Sequence, residues 1–283
     1  MFAATFNDPA NPHFIPGARI TTAFPGGSVD FPLSIDRMPR YTEKLRTLHG
    51  IEMVESPDAV AERVDAVLLT SVDGRVHLRQ FGEIALRRRP TFIDKPLATT
   101  SAEAKAIAAL AREHGVPMFS ASSLRFAAEL QAELRREGAA PVIGADFAGP
   151  MAMQSTQPGY FWYGVHTVEM VFATLGGGCE SVRAFSTAHH EVIVGRWRDG
   201  RMGVARGNRC GNGAFTGAVH REDGSRPVNS AAGMPAYQGL ARAVHAFFRG
   251  APAPVAMEET LEIIRFLEAA NESAARGGVE VRL

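Results

Sequence analysis

The sequence predicts an α/β protein whose first half is a doubly wound parallel sheet and whose second half is an α+β unit with a mostly antiparallel open sheet. Two observations carry this. Strand and helix patterns alternate at short spacing through residue 121, which is how parallel strands joined by crossover helices read. Beyond residue 122 that rhythm gives way to runs of strand formers separated by turn signals.

The elements follow in order. "ARITTAF" (18–24) reads as a strand, and "RYTEKLRTLHG" (40–50) as a helix closed by Gly50. "IEMV" is a second strand, and Ser56-Pro57 opens a short helix with a capping hydroxyl and a proline in the first turn. "VDAVLLT" (64–70) is a near-continuous apolar run, the mark of a strand covered on both faces. A helix over 77–88, a strand over 91–94, a helix from 101 and a strand over 116–121 complete this half. Thr100 and Glu103 make a capping box at the start of the last of these helices.

In the second half, "LRFAAELQAELRREG" and "WYGVHTVEMVFATLGGG" read as helices and "PVIGADFA" as a strand. "ESVRAFSTA", "EVIVGRW", "MGVARG" and "FTGAVH" follow, with Asp199-Gly200 as the strongest hairpin signal. Two amphipathic helices (235–249 and 258–275) and the strand "VEVRL" close the chain. The domain boundary is expected at residues 122/123.

Composition narrows the function. With 283 residues, 46% hydrophobic and a formal net charge of zero, the chain has core to spare and no basic surplus for nucleic acid or anionic membrane. No apolar run approaches the roughly 20 residues that span a bilayer. The amino terminus shows no secretory signal pattern. Cys179 and Cys210 are far apart, so neither a disulfide framework nor a cysteine metal site is expected, and a reducing cytoplasm is the simple assumption. His166 and Glu169 share a helix turn without a third ligand, so no metal is expected there either.

One junction stands out. In "TFIDKPLATT" a buried strand ends on Asp94, Lys95 and Pro96, which sets an ammonium at the carboxyl edge of the sheet, where open α/β proteins bind ligands. A partly desolvated lysine there suits proton transfer to or from an oxygen. Asp94-Lys95-Pro96 resembles the Glu-Lys-Pro of the Gfo/Idh/MocA oxidoreductases, the glucose–fructose oxidoreductase and inositol dehydrogenase group. "VDAVLLTSVDGRVH" resembles the preceding strand and loop, "SSLRF" (122–126) the family's Asn-x-Arg-Phe segment, and "YGVHTVEM" its Gly-x-His-x-x-Asp segment, with Glu169 standing for the acid. "LEAANESAARG" is similar to the closing helix.

The resemblance implies a Rossmann-type domain binding NAD or NADP and hydride transfer at a hydroxyl-bearing carbon of a sugar or polyol. It also implies a second domain whose open sheet builds a homodimer or homotetramer. Lys95 and His166 are then the groups on the reacting oxygen, and the Lys95–Pro96 bond is expected to be cis. Ser71, Asp73, His77 and Asp94 are expected beside the cofactor, and Arg125, Trp162 and Tyr163 beside the substrate.

Three features depart from the family pattern. No Gly-x-Gly-x-x-Gly follows a strand, so the first strand and phosphate loop are expected to be missing; the simplest expectation is a gene start placed inside a longer frame. Trp162 stands where the family commonly has an aspartate four residues before the histidine. No acid closes the "ARITTAF" strand to grip a ribose, so NAD and NADP are not distinguished. These departures keep an alternative open: a non-catalytic relative that binds a sugar-like ligand or a protein partner.

Overall fold

The computed structural model describes all 283 residues and divides them into two units. The first comprises residues 1–98, 102–120 and 241–256; the second comprises 99–101, 121–240 and 257–283. A single cut at 122/123 therefore misses one return of the chain: residues 241–256 complete the first unit's core.

The first unit runs α1 (Phe2–Asn7), β1 (Thr22–Ala23), α2 (Pro32–Ile35), α3 (Met38–His49), β2 (Glu52–Met53), α4 (Pro57–Arg63) and β3 (Val67–Leu69). It continues with α5 (His77–Ala85), β4 (Thr91–Asp94), α6 (Ser101–His114) and β5 (Met118–Ala121). Local signals act as expected. Gly50 ends α3 in the left-handed region at φ 63°, and Ser56 Oγ accepts from the Ala59 N–H at 3.1 Å to cap α4. Phe92, Phe119 and Phe247 pack together with centroid separations of 5.0 Å along the series, and Phe247 comes from the returning segment.

The parallel sheet is in two pieces. β1 pairs with β2, and β3, β4 and β5 form a separate three-stranded sheet. In the doubly wound order the first strand of such a fold lies between the strands represented here by β1 and β3. Those two strands instead line a cavity of about 990 Å³, together with Phe2 and Phe6 of α1. The shortness of β1 follows, since a parallel strand held on one side only keeps few ladder bonds.

The second unit contains α7 (Ala128–Leu134), β6 (Val142–Pro150), α8 (Gly164–Leu175), β7 (Cys179–Ser186), β8 (His190–Trp197) and β9 (Met202–Asn208). It then adds β10 (Thr216–Arg221), β11 (Gly224–Asn229), α10 (Met257–Ala275) and β12 (Val281–Arg282). α9 (Ala236–Phe248) begins here and ends in the first unit. Its seven strands lie in the order β11-β10-β6-β9-β8-β7-β12, antiparallel throughout except for β6 with β9. β11 has no strand pattern in the sequence because Pro227 interrupts it; as an edge strand it can spare that N–H. α8 and α10 pack on one face, where Trp197 is buried between Phe172 and Phe266 and donates its indole N–H to the Gly176 carbonyl at 2.8 Å. The other face carries Phe185, Val192, Val194, Met202 and Val204.

Candidate functional site

Lys95 sits at the carboxyl end of β4, 8% exposed, and its bond to Pro96 is cis. The turn that carries it is held from below by His77. That imidazole is fully enclosed, with Nδ1 at 3.0 and 3.1 Å from the Pro96 and Leu97 carbonyls and Nε2 at 2.9 Å from the Ser71 carbonyl. Burial lowers its pKa, opposed by those carbonyls and by the charge of Asp94. His77 thus lies between the 71 loop and the 95–97 turn; a neutral ring, with one N–H, donates to one side, and only the charged ring donates to both. Asp94 stands beside Lys95; burial raises its carboxyl, and the Lys95 charge opposes the rise.

The loop after β3 is ordered by its own polar groups. The Ser71 hydroxyl donates to Gln80 Oε1 at 2.7 Å. Asp73, 1% exposed, accepts from the Arg75 backbone N–H at 3.0 Å and from its guanidinium, whose far edge grips Asp30 bidentately at 2.8 and 2.9 Å. This clasp ties the loop after β1 to the loop after β3. Beside it, the Ser28 Oγ is buried with no hydrogen-bond partner, and Ser28 lines the 990 Å³ cavity, as do Ser71 and residues 24–27. An orphaned hydroxyl in a crevice at strand carboxyl ends fits the nucleoside end of a dinucleotide. The Gly-x-Gly-x-x-Gly turn that would hold the pyrophosphate does not occur after a strand; the turn from β1 to α2 carries Gly26-Gly27 instead.

In the second unit, His166 lies on the first turn of α8. Its Nδ1 is 2.7 Å from the Ser122 Oγ, and its ring meets the edges of Tyr163 and Phe215 at centroid distances of 5.4 and 5.6 Å. Gly149 leaves room for Phe215: a Cβ there would sit 2.2 Å from the Phe215 ring. Trp162, 6% exposed, packs against Tyr163 at 5.9 Å. The aromatic run is fixed through Tyr160, whose hydroxyl donates to the buried Glu191 at 2.7 Å; Ser186 and Arg209 complete that carboxylate's bonds. Burial raises the Tyr160 phenol, reinforced by Glu191.

Arg125 lies in a buried ion cluster. Its guanidinium, 7% exposed as a residue, donates to Glu169 at 2.8 Å and to Glu259 at 2.5 Å, and Glu169 also accepts the Ser122 N–H at 3.1 Å. Burial raises the Glu169 carboxyl, with the Arg125 charge opposing. Phe215 gave no site signal in the sequence, since it meets His166 only through the fold.

Residues 32–122 match the sequence model of the GFO_IDH_MocA oxidoreductase family, NAD-binding Rossmann fold. No curated protein sequence matches the chain. Among solved structures, GenD2 from gentamicin A biosynthesis, in complex with NAD, is 19% identical with a TM-score of 0.74, covering 87% of each chain. An oxidoreductase from Agrobacterium radiobacter, in complex with NAD+, L-tartaric acid and magnesium, is 16% identical with a TM-score of 0.73, over 94% of this chain and 91% of its own. Scyllo-inositol dehydrogenase from Lactobacillus casei is 14% identical with a TM-score of 0.74, over 99% and 94%. Residues 32–122 therefore form a Rossmann segment of the Gfo/Idh/MocA type, and the chain as a whole has the fold of these oxidoreductases.

Proposed function

We propose that the protein is an NAD(P)-dependent oxidoreductase acting on a hydroxyl-bearing carbon of a sugar, polyol or related compound. The observation that carries this is Lys95, buried at the carboxyl end of β4 within the matched Rossmann segment and braced by His77. Bound NAD(P) supplies or accepts the hydride. The chain's part is to hold the nucleoside end with Ser28, Ser71 and the 24–27 backbone, and to move the proton. In the oxidative direction Lys95 Nζ, as the amine, takes the proton of the substrate hydroxyl; in the reductive direction the ammonium returns it to the carbonyl oxygen. His166, with Tyr163 and Trp162 beside it, is the polar group of the second unit's site, and the aromatic faces suit the apolar side of a sugar ring. Asp94 stands beside Lys95, and Asp73 serves through the Arg75 clasp.

The test is a calorimetric titration of the protein with NADH and with NADPH, followed by turnover of a polyol panel. Saturable binding and a fall in kcat/KM of about 10²–10⁴-fold in Lys95→Ala support the reading. Binding of neither nucleotide would favour the rival, a non-catalytic ligand-binding relative, for which the missing Gly-x-Gly-x-x-Gly turn and Trp162 speak. We further propose a reducing cytoplasmic setting, with Cys179 and Cys210 as free thiols, and a homodimer or homotetramer formed through the uncovered sheet face.

A further inference from the structure

A crevice of this fold tells the two nicotinamide cofactors apart by charge at the end of the strand facing the adenosine ribose. A carboxylate there accepts from a 2′-hydroxyl, and a cation answers a 2′-phosphate. β1 stands in that place, and the residues after it, Phe24 to Ser28, carry no acid. The next acid, Asp30, has both carboxylate oxygens on the Arg75 guanidinium, at 2.8 and 2.9 Å. Asp36 ends α2 and does not line the cavity. Asp65 does line it, but precedes β3 and so lies toward that strand's amino end.

Folding brings a cation to the acid-free turn. Arg37 opens α3, lines the cavity and is exposed. The ion pairs of the first unit use Arg63, Arg75, Arg79 and Arg87, and none takes Arg37. Its neighbour Met38 packs on Gly27: a Cβ at Gly27 would lie 3.1 Å from Met38 Cγ, at a φ of 142° that disfavours any side chain. Ser28, next along, donates its backbone N–H to Ser34 Oγ at 3.0 Å. The turn after β1 and the junction of α2 with α3 are thus one packed piece, and it carries both Ser28 and Arg37. Ser28 Oγ makes no hydrogen bond where it lies, so turning about χ1 toward the cavity breaks none.

We propose that this piece is a 2′-phosphate subsite and that the protein prefers NADP(H) to NAD(H), with Arg37 pairing the phosphate and Ser28 Oγ donating to it. The inference rests on the reading of the protein as a nicotinamide-dependent oxidoreductase and names its cofactor. The other cations on the cavity wall are placed or engaged differently. Arg19 precedes β1, and Lys44 lies two turns along α3, about 10 Å from Arg37. Arg63 is paired with Glu52 at 2.6 Å. Arg249 is a helical turn from His245, which meets Gly17 ahead of β1.

The subsite can be read by binding alone. Calorimetry on the full chain compares adenosine 2′,5′-bisphosphate with adenosine 5′-monophosphate, which differ only in the 2′-phosphate, and then NADPH with NADH. The 2′-phosphorylated member of each pair should bind about 10- to 100-fold more tightly, the worth of charge-assisted hydrogen bonds from one arginine. Arg37→Ala should close most of that gap by weakening the 2′-phosphorylated ligands alone, and Ser28→Ala should narrow it by a smaller factor. Equal affinities within each pair overturn the inference, as does a gap that persists in Arg37→Ala with an unchanged far-UV circular dichroism spectrum. A tight, Arg37-dependent bisphosphate in a protein that turns over no polyol would leave the subsite in place and remove the oxidoreductase reading. Turnover with NADH bound more tightly than NADPH would do the reverse, so the two fail separately. Binding of none of the four ligands overturns both.

Discussion

Individual residues in this protein divide by what surrounds them rather than by type. Of the two cysteines, Cys179 is buried beside Glu262, and burial pushes its thiol up to about 12, while Cys210 is exposed. Iodoacetamide followed by mass spectrometry should therefore label Cys210 alone in the folded protein and both after unfolding. The sign for stability follows from the raised value. The Cys179 contribution is full below the ordinary thiol pKa of about 8.5 and is lost as pH climbs toward 12. Cys179→Ala should flatten that alkaline fall in urea midpoints. Arg125 shows the same lesson with charge. Flanked by Glu169 and Glu259, it balances a buried cluster, and Glu169→Ala should cost about 3–5 kcal/mol in chemical denaturation by leaving the pair broken. The sequence suggested a substrate role for Arg125; its two carboxylate partners come from α8 and α10, far along the chain, and no local pattern could name them.

At the scale of elements, the loops after β1 and β3 are joined by one arginine. Asp30 is held below the usual carboxylate range chiefly by its hydrogen bond from Arg75. Its depressed value means that the clasp contributes above the ordinary aspartate pKa of about 3.9 and is lost as pH falls through the lower folded value. Asp30→Asn should remove that acid-side loss, and hydrogen exchange over residues 24–31 should quicken in the variant at neutral pH. In the second unit the helix that bears His166 is preceded by a segment pinned through Tyr160 to Glu191. Tyr160→Phe should lower stability by about 1.5–3 kcal/mol, the worth of a hydrogen bond to a charged group, and loosen the aromatic run before α8. Strand and helix patterns in the sequence placed nearly all of these elements to within a few residues. β11 escaped because Pro227 and its polar neighbours carry no alternation, and only its pairing with β10 makes it a strand.

Across the whole molecule, two surfaces remain to be accounted for: the cavity between β1 and β3 and the uncovered face of the seven-stranded sheet. The cavity explains why the amino-terminal sheet is split. The sheet face presents Phe185 and Met202, each 52% exposed, over Val192, Val194 and Val204. If copies of the chain associate there, Met202→Glu should shift the sedimentation profile to monomers while leaving the far-UV circular dichroism unchanged. An unchanged profile in an oligomeric protein would place the interface elsewhere.

By itself the sequence determined the alternation that makes a parallel sheet, the antiparallel second half, the Lys95 junction and its family likeness. Those are local properties, written in periodicity, capping and a tripeptide. Tertiary structure alone decided that residues 241–256 return to the first unit, that His77 lies between the 71 loop and the lysine turn, and that a serine 44 residues away meets His166. Each depends on contacts between segments far apart in the chain, where burial removes water and leaves a polar group only the partners that folding brings to it.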